Sequence, residues 1–185
     1  MHQQQREAKP TIEDLIPDYL NGDMRKTALD FIEYMRENKM PFRWVGTNTW
    51  QANYKSKCLC RIWLCTEEGF LGFFGRPGRP SWIVSPFLEH IGKYEEVIIN
   101  RGWQPIFWDN IAYCVFSPES GIPHKIKGCN QNKWCAGGRI FSIFGKEIKN
   151  LHRDPSFPWI WDPDEATIDC IGSLLALEKQ ARNEK

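Results

Sequence analysis

Four side chains have the types and spacing of a metal site: His124, Cys129, Cys135 and His152, in the pattern H-x4-C-x5-C-x16-H. Zinc takes four nitrogen or sulfur ligands in a tetrahedron, and a closed Cys2His2 set would satisfy it. The stretch holding the first three residues has little periodicity of its own. A loop without a core gains most from such a staple, because metal binding supplies folding free energy directly. Lys125, Lys127, Lys133 and Arg139 lie near the thiols in sequence and favour thiolate. Neither pair is C-x2-C, however, and His152 falls in a differently patterned segment. Other readings therefore stand beside structural zinc: two unligated thiols, a disulfide or redox pair between Cys129 and Cys135, or a Cys nucleophile with His124 or His152 as its base. Cys58, Cys60, Cys65, Cys114 and Cys170 each sit in an apolar-patterned segment and read as small buried hydrophobes.

The second candidate chemistry is aromatic. The 185 residues include 9 Trp, 11 Phe and 5 Tyr, and many of these rings gather around the stretch that reads as a sheet. Trp50, Tyr54, Trp63 and Trp108 are the expected walls of a pocket for an aromatic or apolar small molecule, with Arg61, Glu89 and Asp109 as polar partners. The competing reading makes the same rings the core of a sheet packed on helices.

Charge is the third. The 24 Lys+Arg and 23 Asp+Glu give a net +1, which exerts no global pull toward nucleic acid or anionic lipid. The sum conceals a segregation: residues 121–153 hold seven basic residues and one acid, a local +6 against −5 elsewhere. With Trp134, Phe141 and Phe144 interleaved, this segment could contact an anion, nucleic acid or an acidic partner, although a charge run is more often a solvated face. The longest mostly apolar stretches, Gly69–Gly75 and Ile111–Phe116, are far too short to cross a bilayer. The polar N-terminal residues offer no export signal, which makes the cytoplasm the expected location.

The elements that must position these groups follow from pattern. Residues 1–10 read as a flexible tail ending at Pro10, and 11–185 as one domain. Thr11 caps a short acidic turn over Ile12–Leu20, and Asp23 caps a helix over Met24–Asn38 with Met24, Ala28, Phe31, Ile32 and Met35 on one face. Alternation predicts strands at Trp50–Tyr54, Cys58–Cys65 and Phe70–Phe74, joined so tightly that they must be antiparallel. A helix is predicted over Phe87–Asn100, then a hairpin of Gln104–Trp108 with Ile111–Phe116 around Asp109-Asn110. Residues 117–138 form a long basic loop, and Ile140–Phe144 fits either a helix or a strand. Asp162-Pro163-Asp164-Glu165 opens a final helix over Pro163–Lys179. The fold class is α+β: an antiparallel sheet of about five strands, helices mainly on one face, and a long irregular loop before the C-terminal helix.

The segments Trp50-Gln51-Ala52-Asn53-Tyr54-Lys55, Lys57-Cys58-Leu59-Cys60-Arg61-Ile62 and Gly69-Phe70-Leu71-Gly72-Phe73-Phe74 resemble a group of short bacterial proteins of unknown function, with an aromatic-rich, tightly turned sheet after an N-terminal helix. The C-terminal part is similar too: a Cys-bearing loop, Ile143-Phe144-Gly145-Lys146-Glu147, and Asp162-Pro163-Asp164 before the last helix. Members of that group tend to carry Cys at the position of His152, an exchange that keeps a ligand type zinc accepts. The resemblance implies a fold and no activity. From the residues, the expected function is a non-enzymatic small-molecule-binding or sensing domain with an aromatic pocket and a structural zinc. The alternatives are an enzyme using Cys/His or zinc-activated water at 121–152, and an adaptor working through the basic segment.

Overall fold

The computed structural model describes residues 2–65, 81–110, 139–151 and 154–184. The first element is a helix, α1 (His2–Ala8), where the sequence suggests a loose tail. A long-range amide pair accounts for the difference. Gln5, buried at 8% exposure, donates from Nε2 to Asn48 Oδ1 at 2.6 Å and accepts from the Asn48 backbone N–H at 2.9 Å. Tyr19 donates to the same Asn48 oxygen at 3.2 Å. Local polarity predicts disorder here, but a partner 43 residues away overrides it.

Helix α2 (Ile12–Tyr19) starts at the expected Thr11 in a capping box with Asp14, and buries Ile12 and Ile16. Helix α3 (Gly22–Glu37) buries Thr27, Ala28, Phe31, Ile32 and Met35, the face its 3.6-residue period selects. Its cap position is Asn21, and Asp23 lies in the first turn. An Arg36–Glu13 ion pair ties α3 to α2.

Strands β1 (Phe42–Gly46), β2 (Thr49–Tyr54), β3 (Lys57–Leu64), β4 (Trp82–Pro86) and β7 (Ile160–Trp161) form one sheet in the order β1-β2-β3-β4-β7, antiparallel throughout. The register sorts side chains strictly. Trp50, Ile62, Val84 and Ile160 share one face, joined by Ala52, Cys60, Leu64 and Trp82, all at 3% exposure or less. This is the face the helices cover. Helix α6 (Glu165–Ala181) packs on α3, β3 and β4, bringing Ile168, Ile171, Leu174 and Leu175 into the core. The α3–α6 approach is close: a Cβ on Gly172 would lie 3.1 Å from the Tyr34 ring, whose hydroxyl donates to the Gly172 carbonyl at 3.0 Å.

Other expectations need correction. In place of one helix over 87–100 there is a 3-10 turn at Ile91–Lys93 and a short α4 (Glu95–Asn100). Pro86 closes β4 opposite Cys60, and Phe87 N–H still donates to Leu59 O at 2.9 Å, so the chain leaves the sheet extended and turns later. Gln104–Trp108 is a helix, α5, because Pro105 stands in its first turn, where a missing N–H costs nothing. Its proposed hairpin partner Ile111–Phe116, and the strand Phe70–Phe74, lie outside the described residues. The choice at 140–144 resolves as strand: β5 (Arg139–Ile143) pairs with β6 (Lys146–Leu151) through Phe144-Gly145, both at positive φ, in a separate two-stranded sheet. The last helix is capped by Asp164, which accepts from Thr167 N–H at 2.8 Å, while Asp162 accepts from the backbone N–H groups of Ser81 and Trp82 at 2.7 and 3.0 Å.

Replacing Gln5 by Ala removes both arms of the buried amide pair and leaves the Asn48 backbone N–H without its acceptor, while Tyr19 still donates to Asn48 Oδ1. The expected cost is about 1–3 kcal/mol, read as a lower urea midpoint with an unchanged transition slope. An unchanged midpoint would show that α1 adds nothing to the fold.

Candidate functional site

The four rings expected to wall one pocket occupy separate environments. Trp50 is fully buried on the helix-covered face, and its indole N–H donates to Pro10 O at 3.0 Å. It is core. Tyr54 ends β2, donating to Asn183 Oδ1 at 2.8 Å, with Lys179 Nζ 5.3 Å from its ring centre. Trp108 closes α5 against Phe144 at 6.4 Å, with Lys146 Nζ 4.8 Å from its ring. Trp63 alone stands on the opposite face of the large sheet, because its register partner is Thr49 while Trp50 pairs with Ile62. Pleat parity keeps Trp50 and Trp63 out of any common cavity. Of the suggested polar partners, Glu89 pairs with Lys57 at 2.9 Å and Asp109 is the C-cap of α5.

Cys129, Cys135, His124 and His152 lie outside the described residues. Among the described residues no group of three or more His, Cys, Asp or Glu side chains is arranged to hold a metal. Burial pushes the thiol of Cys60 well up, and those of Cys65 and Cys170 up to about 12, so these three are protonated and inert near neutral pH. Lys149, in the basic segment, pairs with Glu147 at 3.5 Å.

Arg61 occupies a distinctive position. A polar row crosses four strands on the outer face: Arg43 on β1 opposite Gln51 on β2, Gln51 opposite Arg61 on β3, and Arg61 opposite Ser85 on β4. From β3 to β7 the next row is apolar, Trp63 opposite Ile83 opposite Trp161. The Arg61 guanidinium lies 5.7 Å from the Trp63 ring centre and 5.6 Å from that of Phe87, so two π-faces hold it. Gln51 Oε1 accepts from its Nε at 3.2 Å and its Nη2 at 2.5 Å. Among the described residues no carboxylate lies within ion-pair distance of it. Trp159 meets Trp63 edge-on at 6.1 Å and Phe157 meets Phe87 at 5.3 Å, extending the aromatic surround.

A second polar constellation sits at the end of α6. Glu178 is fully buried and accepts four hydrogen bonds: from His90 N at 3.0 Å, His90 Nδ1 at 2.9 Å, Tyr94 OH at 2.8 Å and Arg182 Nε at 2.7 Å. Arg182, 3% exposed, also donates from Nη2 to Cys58 O and Phe87 O at 3.1 and 3.0 Å. Burial alone would raise the Glu178 carboxyl, but donation from His90, Arg182 and Tyr94 outweighs it and holds the group below its usual value. Burial, and then the Glu178 charge, push the Tyr94 phenol up. The carboxylate fixes the His90 tautomer with a proton on Nδ1, an orientation used in catalytic dyads. Here Glu178 also accepts from the His90 backbone N–H, from Tyr94 and from Arg182, which marks it as a structural lock. Its position was readable: residue 178 continues the stripe of Ile171, Leu174 and Leu175 at +7, +4 and +3, and Arg182 follows one turn on.

Because the folded-state pKa of Glu178 is depressed, its stabilisation is present above the unfolded value of about 4.3 and is lost as pH falls through the folded value. Glu178→Gln is expected to cost about 3 kcal/mol at neutral pH, since it leaves the Arg182 charge buried without its partner. The variant should also lose stability less steeply than the wild type below pH 4. Denaturant titrations at pH 7 and pH 3.5 check both effects; equal costs at the two values would count against the lock.

Comparison with protein-family models, with curated proteins and with solved structures found no match.

Proposed function

We propose that this protein is a non-enzymatic small-molecule-binding domain whose ligand lies against the outer face of the large sheet, where Trp63 and Phe87 flank Arg61. A single observation carries this reading: an arginine held in the sheet between two aromatic rings with no carboxylate partner among the described residues. A guanidinium stacked on rings keeps its charge, and with no acid beside it that charge is available to an anionic group. Apolar rings around a few fixed polar groups are the usual make-up of a small-molecule site. The polar side chains in the row are two arginines, an amide and a hydroxyl. None of these is a general acid or base near neutral pH, which favours binding over turnover. Relative to the expectation from sequence, the pocket keeps Trp63 and Arg61 and gives up Trp50, Tyr54 and Trp108.

Intrinsic Trp fluorescence, screened against a library of small aromatic and aliphatic compounds, tests the face. Hits should lose at least tenfold in affinity in Trp63→Ala and be unaffected in Trp108→Ala. Hits insensitive to Trp63 would refute this location.

A structural zinc on Cys129, Cys135, His152 and His124 belongs to the same proposal and rests on their spacing. Elemental analysis should give one zinc per chain, and a chelator should lower Tm. Metal-free protein with a chelator-independent Tm would eliminate it.

A further inference from the structure

We infer that the group recognised at Arg61 is a carboxylate, taken in a bidentate grip by the guanidinium and supported by the Ser85 hydroxyl. This rests on the binding face proposed above and specifies its chemistry. Three observations converge. First, Gln51 Oε1 accepts from Nε and Nη2, which together form the side edge of the guanidinium. The end edge, formed by Nη1 and Nη2, has no acceptor among the described residues. That edge matches the two oxygens of a carboxylate. The rings of Trp63 and Phe87 lie against the guanidinium, so its remaining donors point in its own plane, past the rings.

Second, the residue chosen to hold Arg61 is neutral. Gln51 donates from Nε2 to Asn53 Oδ1 at 2.6 Å, which fixes the amide with its oxygen toward Arg61. The arginine is thereby oriented without being neutralised, and a glutamate at 51 would have consumed the charge. Arg43 stands in the same row, so the described residues of the row carry two cations and no acid.

Third, Ser85 lies directly opposite Arg61 across the β3–β4 ladder, and its Oγ is fully buried with no hydrogen-bond partner. Cross-strand neighbours on one face have Cβ atoms about 5 Å apart, which places this hydroxyl beside the base of the Arg61 side chain. A buried hydroxyl left unsatisfied is costly, and donation to the ligand would relieve it.

The test uses two matched pairs of probes on the full chain, 2-naphthoate with 2-naphthamide and hexanoate with hexanamide, titrated calorimetrically. The carboxylates are expected to bind at least tenfold tighter than their amides. That preference should vanish in Arg61→Gln, fall severalfold in Arg61→Lys, which keeps the charge and loses the fork, and shrink in Ser85→Ala. The Arg61 side-chain Nε–H resonance should shift on adding naphthoate and stay in place with naphthamide, a readout that a purely structural arginine would not give. Equal binding of acid and amide by the wild type would overturn the carboxylate anchor while leaving the binding face intact. No binding of any probe at millimolar concentration would overturn both.

Discussion

One buried carboxylate ties the last helix to the segment that follows β4. Glu178 gathers donors from the segment after β4, from the turn into α4 and from the next turn of its own helix, and Arg182 passes the connection on to the carbonyls of Cys58 and Phe87. Two charges in a dry environment are costly unless nearly every lone pair and proton is engaged. Here the carboxylate accepts four bonds, although Arg182 Nη1 is buried without a partner among the described residues, and those four bonds oppose any sliding or rotation of the helix. The apolar stripe of α6 would tolerate sliding by a turn; the ionic lock does not. It therefore fixes which residues of β3 and β4 lie under the helix, and through them the placement of the outer face.

The sheet then divides labour by parity. Its helix-facing side is closed and apolar, with Trp50 and Trp82 fully buried. Its other side alternates polar and aromatic rows, and β4 is buried on both. Aromatic richness in the sequence thus has two physical meanings separated by a single residue step along a strand. Trp50 is ballast for the core, while Trp63 belongs to the surface where Arg61 is held between two rings.

How much of this could be read from the residues depends on the range of the forces involved. Helix α3 and strands β2 and β3 announce themselves, because burial of one face imposes a period that survives in the sequence. The capping of α2 by Thr11 is equally local. Helix α1 is not legible, since the Gln5–Asn48 amide pair spans 43 positions and leaves no periodic trace. Helix α5 is a single five-residue turn whose alternation of sizes mimics a strand, and only Pro105 argues otherwise. Arg61 is legible as a polar residue beside Trp63, but its lack of a carboxylate becomes evident only once the neighbouring strands are aligned. Glu178 is the instructive miss: a charged residue on an apolar stripe is either an error of register or a lock.

The separation in sequence of the groups that meet has a kinetic consequence. The β1–β2–β3 meander closes through short turns and can form as soon as it is made. The cover that α6 supplies to β3 and β4 cannot follow until that helix exists, because the Tyr34–Gly172 contact spans 138 residues, and the outer edge of β4 must wait for β7 at Ile160. Until then the apolar face of β3, with Cys60, Ile62 and Leu64, lacks the cover of α6 and is open to other chains. Contacts of such long range make closure slow relative to the local hairpins. During synthesis, that face stays open from the completion of β3 at Leu64 until α6 has been added.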